Sequence, residues 1–73
     1  MSAKQIDQLV KMANQIALNF GEQRNLREAA HKTAEHLDKF WTPAMRRHLS
    51  TYAQQGGEGL SPAVSLLLQQ QGD

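Results

Sequence analysis

The 73-residue sequence predicts an all-α fold, a small bundle of three main helices plus a short C-terminal fourth helix. Three observations predict this class. Apolar residues recur at steps of three and four along most of the chain, which is the spacing of one helix face. Helix-start signals precede three of the four segments, and glycines follow the ends of two. No alternating run typical of a strand competes with this pattern. We therefore expect one helical domain over residues 1–73.

The first helix is predicted over residues 3–20, followed by Gly21, which can adopt the left-handed conformation that ends many helices. Met12 lies on the flank of its apolar stripe, about 40° from Ile16 at about 100° per residue. Seven side chains form the stripe that we expect to face the core: Ile6, Leu9, Val10, Ala13, Ile16, Ala17 and Phe20.

The second helix is predicted over residues 26–40, because Asn25 followed three residues later by Glu28 has the pattern of a capping box. Two acid-first pairs, Glu28–Lys32 and Glu35–Lys39, are spaced for ion pairs on the solvated face. Such exposed pairs contribute only some tenths of a kcal/mol each. Six side chains are predicted to face inward: Leu26, Ala29, Ala30, Thr33, Leu37 and Phe40.

The third helix is predicted over residues 43–55, because Thr42-Pro43 combines a favourable N-cap with proline at the first helical position. Since proline disfavours helical backbone at the residue before it, the second helix must end near Trp41. Gly56-Gly57 is expected to end the third helix. Its inward side is predicted to carry Met45, His48, Leu49, Tyr52 and Ala53.

Ser61-Pro62 repeats the same start signal for a fourth helix over residues 62–70. Its inward side is predicted to carry Val64, Leu67 and Leu68. Leu66 is predicted to point away from that stripe, and residues 71–73 are predicted to form a frayed tail.

Size, cysteine content and charge exclude several classes of function. A chain this short buries only about 60% of its unfolded surface, so the core is thin. It has no cysteine, which excludes disulfides and thiolate metal sites. Its net charge of +1 is spread evenly, unlike the basic face of a nucleic-acid binder. No apolar run reaches the about 18 residues of a membrane span. We expect a cytoplasmic protein that binds neither nucleic acid nor membrane.

Few residues are arranged for catalysis or for cofactor binding. His31 and Glu35 lie one helical turn apart, but a metal site needs further ligands that the sequence does not place nearby. Residues 56–59, Gly-Gly-Glu-Gly, lack the lysine and the preceding strand of a phosphate-binding loop. We therefore expect no catalytic, cofactor-binding or metal-binding residue in this chain, and no autonomous enzyme.

The run from Phe40 to Arg47 is the most distinctive stretch, since it holds the only Trp and the only adjacent pair of basic residues. With Thr42 as N-cap, Trp41 and Arg46 occupy positions that meet in a hydrophobic staple, so the guanidinium could lie on the indole. In one interpretation Trp41 fills the core between the second and third helices.

In the other interpretation this run is a docking site for a protein, because Trp and Arg dominate interface hot spots. The two interpretations are compatible, since one face of an indole can be core while its edge contacts a partner. The predicted partner-binding residues are Trp41, Met45, Arg46 and Arg47, with Met12 and Leu66 as lesser candidates.

Four motifs occur along the chain in a fixed order: Met12-Ala13-Asn14-Gln15-Ile16, His36-Leu37, Phe40-Trp41-x-Pro43-x-Met45-Arg46 and Gly56-Gly57-x-Gly59-Leu60-x-Pro62. In this order and spacing, over about residues 7–68, they together resemble the delta subunit of bacterial NAD-dependent formate dehydrogenase. Two positions depart from that family. Asn19 stands where an aromatic residue usually lies beside Phe20, and Ala44 stands where a basic residue is common.

The resemblance implies a non-catalytic accessory subunit that supports the assembly or stability of the complex. It implies that the cofactors belong to partner subunits: a molybdenum or tungsten pterin and iron–sulfur clusters on the large alpha subunit, and FMN and further clusters leading to NAD on the beta and gamma subunits. The implied partner is the large cofactor-bearing subunit.

Two alternatives stay open. A small helix-turn-helix-type nucleic-acid binder could use Arg46 and Arg47 on the third helix, and the chain could also be another kind of helical adaptor. An isolated chain could in addition associate with itself through a face that a partner normally covers.

Overall fold

The computed structural model describes residues 3–71, and it gives the surroundings of the side chains of residues 5–70. Four helices and no strand occur in this part of the chain, which confirms the predicted all-α class. The helices are α1 (Ala3–Asn19), α2 (Leu26–Phe40), α3 (Pro43–Gln54) and α4 (Pro62–Gln71).

The bounds of the helices differ slightly from the predicted ones. α1 and α3 each end one residue earlier than predicted, at Asn19 and Gln54. α4 includes Gln71, the first residue of the predicted tail, while the other two residues of that tail lie outside the described part. Within residues 3–71, no helix is long and apolar enough to cross a membrane.

The core lies where α1 and α4 meet α2. α2 packs mainly against α4, while α1 contacts each of the other three helices. Many of the buried side chains are alanines, which lets the helix backbones approach closely. The buried residues are Leu9, Val10, Ala13 and Ala17 of α1, Ala29, Ala30, Thr33 and Leu37 of α2, Trp41 and Leu49, and Ala63, Val64, Leu67 and Leu68 of α4.

Three aromatic or aliphatic side chains that the periodicity placed in the core are exposed. Phe20, Leu26 and Phe40 keep 36%, 40% and 70% of their surface accessible. Each lies at or just beyond the end of a helix, where the neighbouring helices no longer cover it. Trp41 fills the core instead of Phe40, because the chain leaves the helix at Trp41 in an extended conformation (φ −95°, ψ 146°).

Leu66 was also predicted wrongly. It is half-buried against the core instead of pointing away from it. α4 is short and contacts α1, α2 and α3 together, so that a wider sector of its surface is covered than a single stripe requires.

The helix caps form largely as predicted. Asn25 Oδ1 accepts a hydrogen bond from the Glu28 N–H (3.1 Å), and Thr42 Oγ1 accepts one from the Met45 N–H (3.2 Å). The reciprocal half of the capping box is absent in the described residues, since the Asn25 N–H donates to the carbonyl of Gly21.

Only one of the two predicted acid-first ion pairs forms. Glu28 Oε1 lies 3.1 Å from Lys32 Nζ. Glu35 instead approaches His31, with 3.8 Å between Oε1 and Nε2, an ion pair only when the imidazole is protonated.

Candidate functional site

The side chain of Asn14 joins α1 to the loop that precedes α4. Its Nδ2 donates to the carbonyl of Gly59 (2.8 Å), and its Oδ1 accepts from the N–H of Ser61 (2.9 Å). Both ends of one amide therefore hold a segment about 45 residues away in sequence. Two of the motifs that carried the family resemblance, around residues 12–16 and 56–62, meet at this contact.

The N-terminus of α4 is held by three different parts of the chain. Besides the bond from Asn14 to Ser61, the N–H of Ala63 donates to Glu22 Oε1 (3.3 Å) and the N–H of Val64 donates to Ser61 Oγ (3.4 Å). These are the donors that the start of a helix leaves without an internal partner, and a carboxylate there also favours the helix dipole. Glu22, in the turn after α1, therefore fixes where α4 begins.

The loop between α3 and α4 has two further anchors. The hydroxyl of Tyr52 donates to the carbonyl of Glu58. Gly57 has φ +60°, and a Cβ there would lie 3.0 Å from Leu60 Cδ1 and 3.3 Å from Ala53 Cα. A glycine is required at this position both by the left-handed backbone and by the close packing.

The corner between α2 and α3 is built around a buried Trp41. Trp41 is 6% exposed and belongs to the core, as one of the two interpretations predicted. Arg46 turns towards α2, where its Nη1 lies 2.6 Å from Asp38 Oδ1. This ion pair was not predicted, because Asp38 lies eight residues earlier and on a different helix.

The six predicted partner-binding residues do not form one uniformly exposed surface. Trp41 is buried, Met45, Arg46 and Leu66 are half-buried, and Arg47 and Met12 are exposed. Arg46 and Arg47 line a shallow groove on α3 with Pro43 and Ser50. Contact between any of the six and a partner stays a prediction.

The ion pair of Arg46 also bears on the alternative of nucleic-acid binding. Of the two arginines that would contact phosphate, Arg46 is paired with Asp38. Arg47 is the exposed one of the two. Binding through phosphates normally uses several cations together.

A row of three rings, two exposed and one half-buried, runs beside this corner and was not predicted. The ring of Phe20 lies 6.2 Å from that of His36 in an edge-to-face contact (interplanar angle 65°), and the His36 ring lies 4.7 Å from that of Phe40. We call Phe20, His36 and Phe40 the aromatic ledge. Phe20 and Phe40 were predicted to lie in the core. Their positions at the ends of helices are the signal that could have predicted their exposure.

Cationic side chains border the aromatic ledge. Arg24 and Lys32 line a groove that Phe20 also lines, between the end of α1 and the start of α2. Lys39 precedes Phe40 in sequence and is exposed. Asn19, which replaces the family's usual aromatic residue, lies in the same groove.

Two histidines of α2 lie in separate surroundings. His31 faces Glu35, and His36 lies between two phenyl rings. No group of three or more His, Cys, Asp or Glu side chains among the described residues could hold a metal ion.

Comparisons with known proteins give one match. Residues 8–66 of the chain match the family model described as NADH-dependent formate dehydrogenase delta subunit FdsD. No curated protein and no solved structure matched the chain. The matched segment spans Asn14, the aromatic ledge, the α2–α3 corner and the loop before α4.

Proposed function

Because the chain belongs to the NADH-dependent formate dehydrogenase delta subunit family, we propose that it is a non-catalytic accessory subunit that supports the assembly or stability of the cofactor-bearing subunit. The family match over residues 8–66 is the observation that carries the proposal. The membership itself was predicted from the motifs and is confirmed. The proposal places the complex in the cytoplasm and its cofactors on the other subunits.

The chemistry of the chain supports a structural role. It has no cysteine for iron–sulfur ligation. Its polar side chains with long-range contacts stabilise the fold: Asn14 and Glu22 fix the start of α4, and Arg46 joins α3 to α2. At the same time, large apolar side chains stay exposed on a domain whose core is small. Such surfaces are typical of a chain that works against a partner.

The α2–α3 corner is part of the proposed contact with the large subunit. Met45, Arg46 and Arg47 would contribute their accessible parts, with Met12 and Leu66 as lesser contributors. Trp41, buried beneath the corner, would act by holding the junction of the two helices in place.

The proposal is tested by producing the formate dehydrogenase complex with and without this chain. Without it, we expect less assembled complex on size-exclusion chromatography, a lower content of molybdenum or tungsten and of iron per large subunit, or a lower temperature of unfolding. Unchanged yield, metal content and thermal stability in the complex made without the chain would contradict the proposal.

A further inference from the structure

We propose that the aromatic ledge is the surface through which this chain docks on another subunit of the complex, and that it enters an apolar groove with an acidic rim. This inference rests on the proposed function and adds to it a surface and the chemistry of the partner's surface.

The exposure of the rings is the first argument. Both phenylalanines of the chain lie on the aromatic ledge, and Phe40 is 70% exposed. The neighbouring Trp41 is 6% exposed, so the fold buries one of two adjacent aromatic residues and presents the other. A chain this short has a small core, so large aromatic side chains that keep much of their surface accessible indicate a surface that a partner covers.

The contacts between the rings are the second argument. The edge-to-face contact of Phe20 with His36, and the closer contact of His36 with Phe40, restrict the rotamers of all three side chains before any partner arrives. Aromatic anchors that are already ordered lose little conformational freedom on binding. The ring contacts therefore reduce the conformational freedom that these side chains have left to lose on entering a groove.

The charges beside the rings define the rim of that groove. At about 100° per residue, Lys32 and Lys39 lie about 40° and 60° from His36, on its solvent side. Glu28 and Glu35 lie about 80° and 100° from His36 on the same side, and Glu28 lines the groove beside Phe20 together with Lys32. Among the described residues, Lys39 has no carboxylate within 4.0 Å, whereas Lys32 is paired with Glu28. A partner surface that complements this border carries carboxylates beside its apolar centre.

Charge argues against a second copy of this chain as the occupant. A phenylalanine buries about 150–250 Å², so the accessible parts of Phe20 and Phe40 amount to roughly 200 Å². A stable interface needs about 800 Å² from each partner, so further surface of this chain must join the aromatic ledge whichever partner binds. In a symmetric pair formed on this face both borders would carry the same lysines, because the two copies present the same surface. A larger subunit with carboxylates beside its groove complements that border instead.

The test is recovery of the chain with the complex. The full chain is co-expressed with the other formate dehydrogenase subunits, one of which carries an affinity tag, and the amount of chain per tagged subunit is measured. Phe40→Ala is compared with Leu18→Ala, which removes a side chain that is 49% exposed and lies on the solvent face of α1. Lys39→Glu is compared with Lys11→Glu, a matched charge reversal at an exposed position of α1.

We expect Phe40→Ala to weaken binding about 30-fold, as removal of an interface hot spot does, and to lower recovery at least about tenfold. Lys39→Glu should lower recovery as well, and the two controls should be recovered like the wild type. Circular dichroism of each isolated variant checks that it is folded. Lys39→Glu changes no aromatic side chain, so it tests the charge of the border separately from the rings.

Three results would overturn the inference. Wild-type recovery of both Phe40→Ala and Lys39→Glu would assign docking to another face and leave the proposed function standing. Failure of the wild-type chain to accompany any subunit would overturn the proposed function together with this inference. A dimer of the isolated chain that Phe40→Ala dissociates, with recovery in the complex unchanged, would assign the aromatic ledge to a second copy.

Discussion

Replacement of Asn14 by alanine tests how the fold is held together. Asn14 is half-buried and makes two long-range hydrogen bonds, to the Gly59 carbonyl and from the Ser61 N–H. Alanine removes both bonds and keeps the helical propensity of α1. The loop before α4 then loses its connection to α1, and the partly buried Ser61 N–H loses its acceptor.

The size of the effect follows from these two bonds. A net contribution of about 1 kcal/mol for each, together with the cost of an unpaired donor, gives a loss of about 2–3 kcal/mol. At about 0.05–0.15 kcal/mol per residue, the whole chain has a free energy of unfolding of about 4–11 kcal/mol. A domain of this size loses about 4–8 °C per kcal/mol, so the melting temperature should fall by roughly 8–24 °C.

This loss is measured by thermal and urea unfolding of the isolated chain, with the helix content followed by far-ultraviolet circular dichroism. Asn14→Asp separates the two bonds, because it keeps the acceptor for Ser61 and replaces the donor to Gly59 by a carboxylate oxygen. It should therefore also destabilise. Gln15→Ala, at an exposed neighbour whose side-chain amide donates a hydrogen bond to Asn19 Oδ1, is the control and should change stability by less than about 0.5 kcal/mol. A melting temperature of Asn14→Ala within about 2 °C of the wild type would refute the reasoning.

Four further substitutions test the core, the surface and one ion pair. Thr33→Val should stabilise the chain by about 1 kcal/mol in urea unfolding, because the hydroxyl is 0% exposed and has no hydrogen-bond partner among the described residues; a loss of stability would show that the hydroxyl is paired. Trp41→Ala should lower the free energy of unfolding by about 3–5 kcal/mol, whereas Phe40→Ala should lower it by less than about 1 kcal/mol; equal losses in urea unfolding would contradict their different burial. Asp38→Asn should cost less than about 1 kcal/mol, since the Asp38 side chain is 74% exposed where it meets Arg46; a larger loss in urea unfolding would show that this ion pair holds α2 to α3.

The features of the fold that depend on neighbouring residues could be predicted from the sequence. Thr42 and Asn25 cap the helices that follow them because the cap bond spans only three residues, and such local chemistry can be read directly. The stripe of α2 around Thr33 and Leu37 is buried as its spacing predicted. Each of these features depends on a single helix or on its first turn.

Features that depend on where neighbouring helices end could not be predicted in this way. Periodicity assigned Phe20 and Phe40 to the inner face, but it does not tell how far along the helix that face is covered. The two bonds of Asn14 join segments that no local pattern relates, although both segments belonged to the family resemblance. The pairing of Arg46 with Asp38 likewise depends on the angle between two helices.

The candidate docking surface illustrates the same distinction. In the sequence, the α2–α3 corner is distinctive because it holds Trp41 and two adjacent arginines, and it was therefore predicted as the docking site. The fold uses Trp41 for its core and exposes Phe40 beside it, a choice fixed by the extended backbone at Trp41. Composition therefore selected the region for the prediction, and three-dimensional packing decided which of its side chains are exposed.

The most direct test of the accessory role is the turnover number of formate dehydrogenase per metal-loaded complex, measured with and without this chain. A non-catalytic subunit changes how much active complex exists and leaves the rate of each assembled complex unaltered. We predict equal turnover numbers for the two preparations, even where the amounts of assembled complex differ. A turnover number that falls in the complex lacking the chain, and returns when purified chain is added to it, would contradict the account.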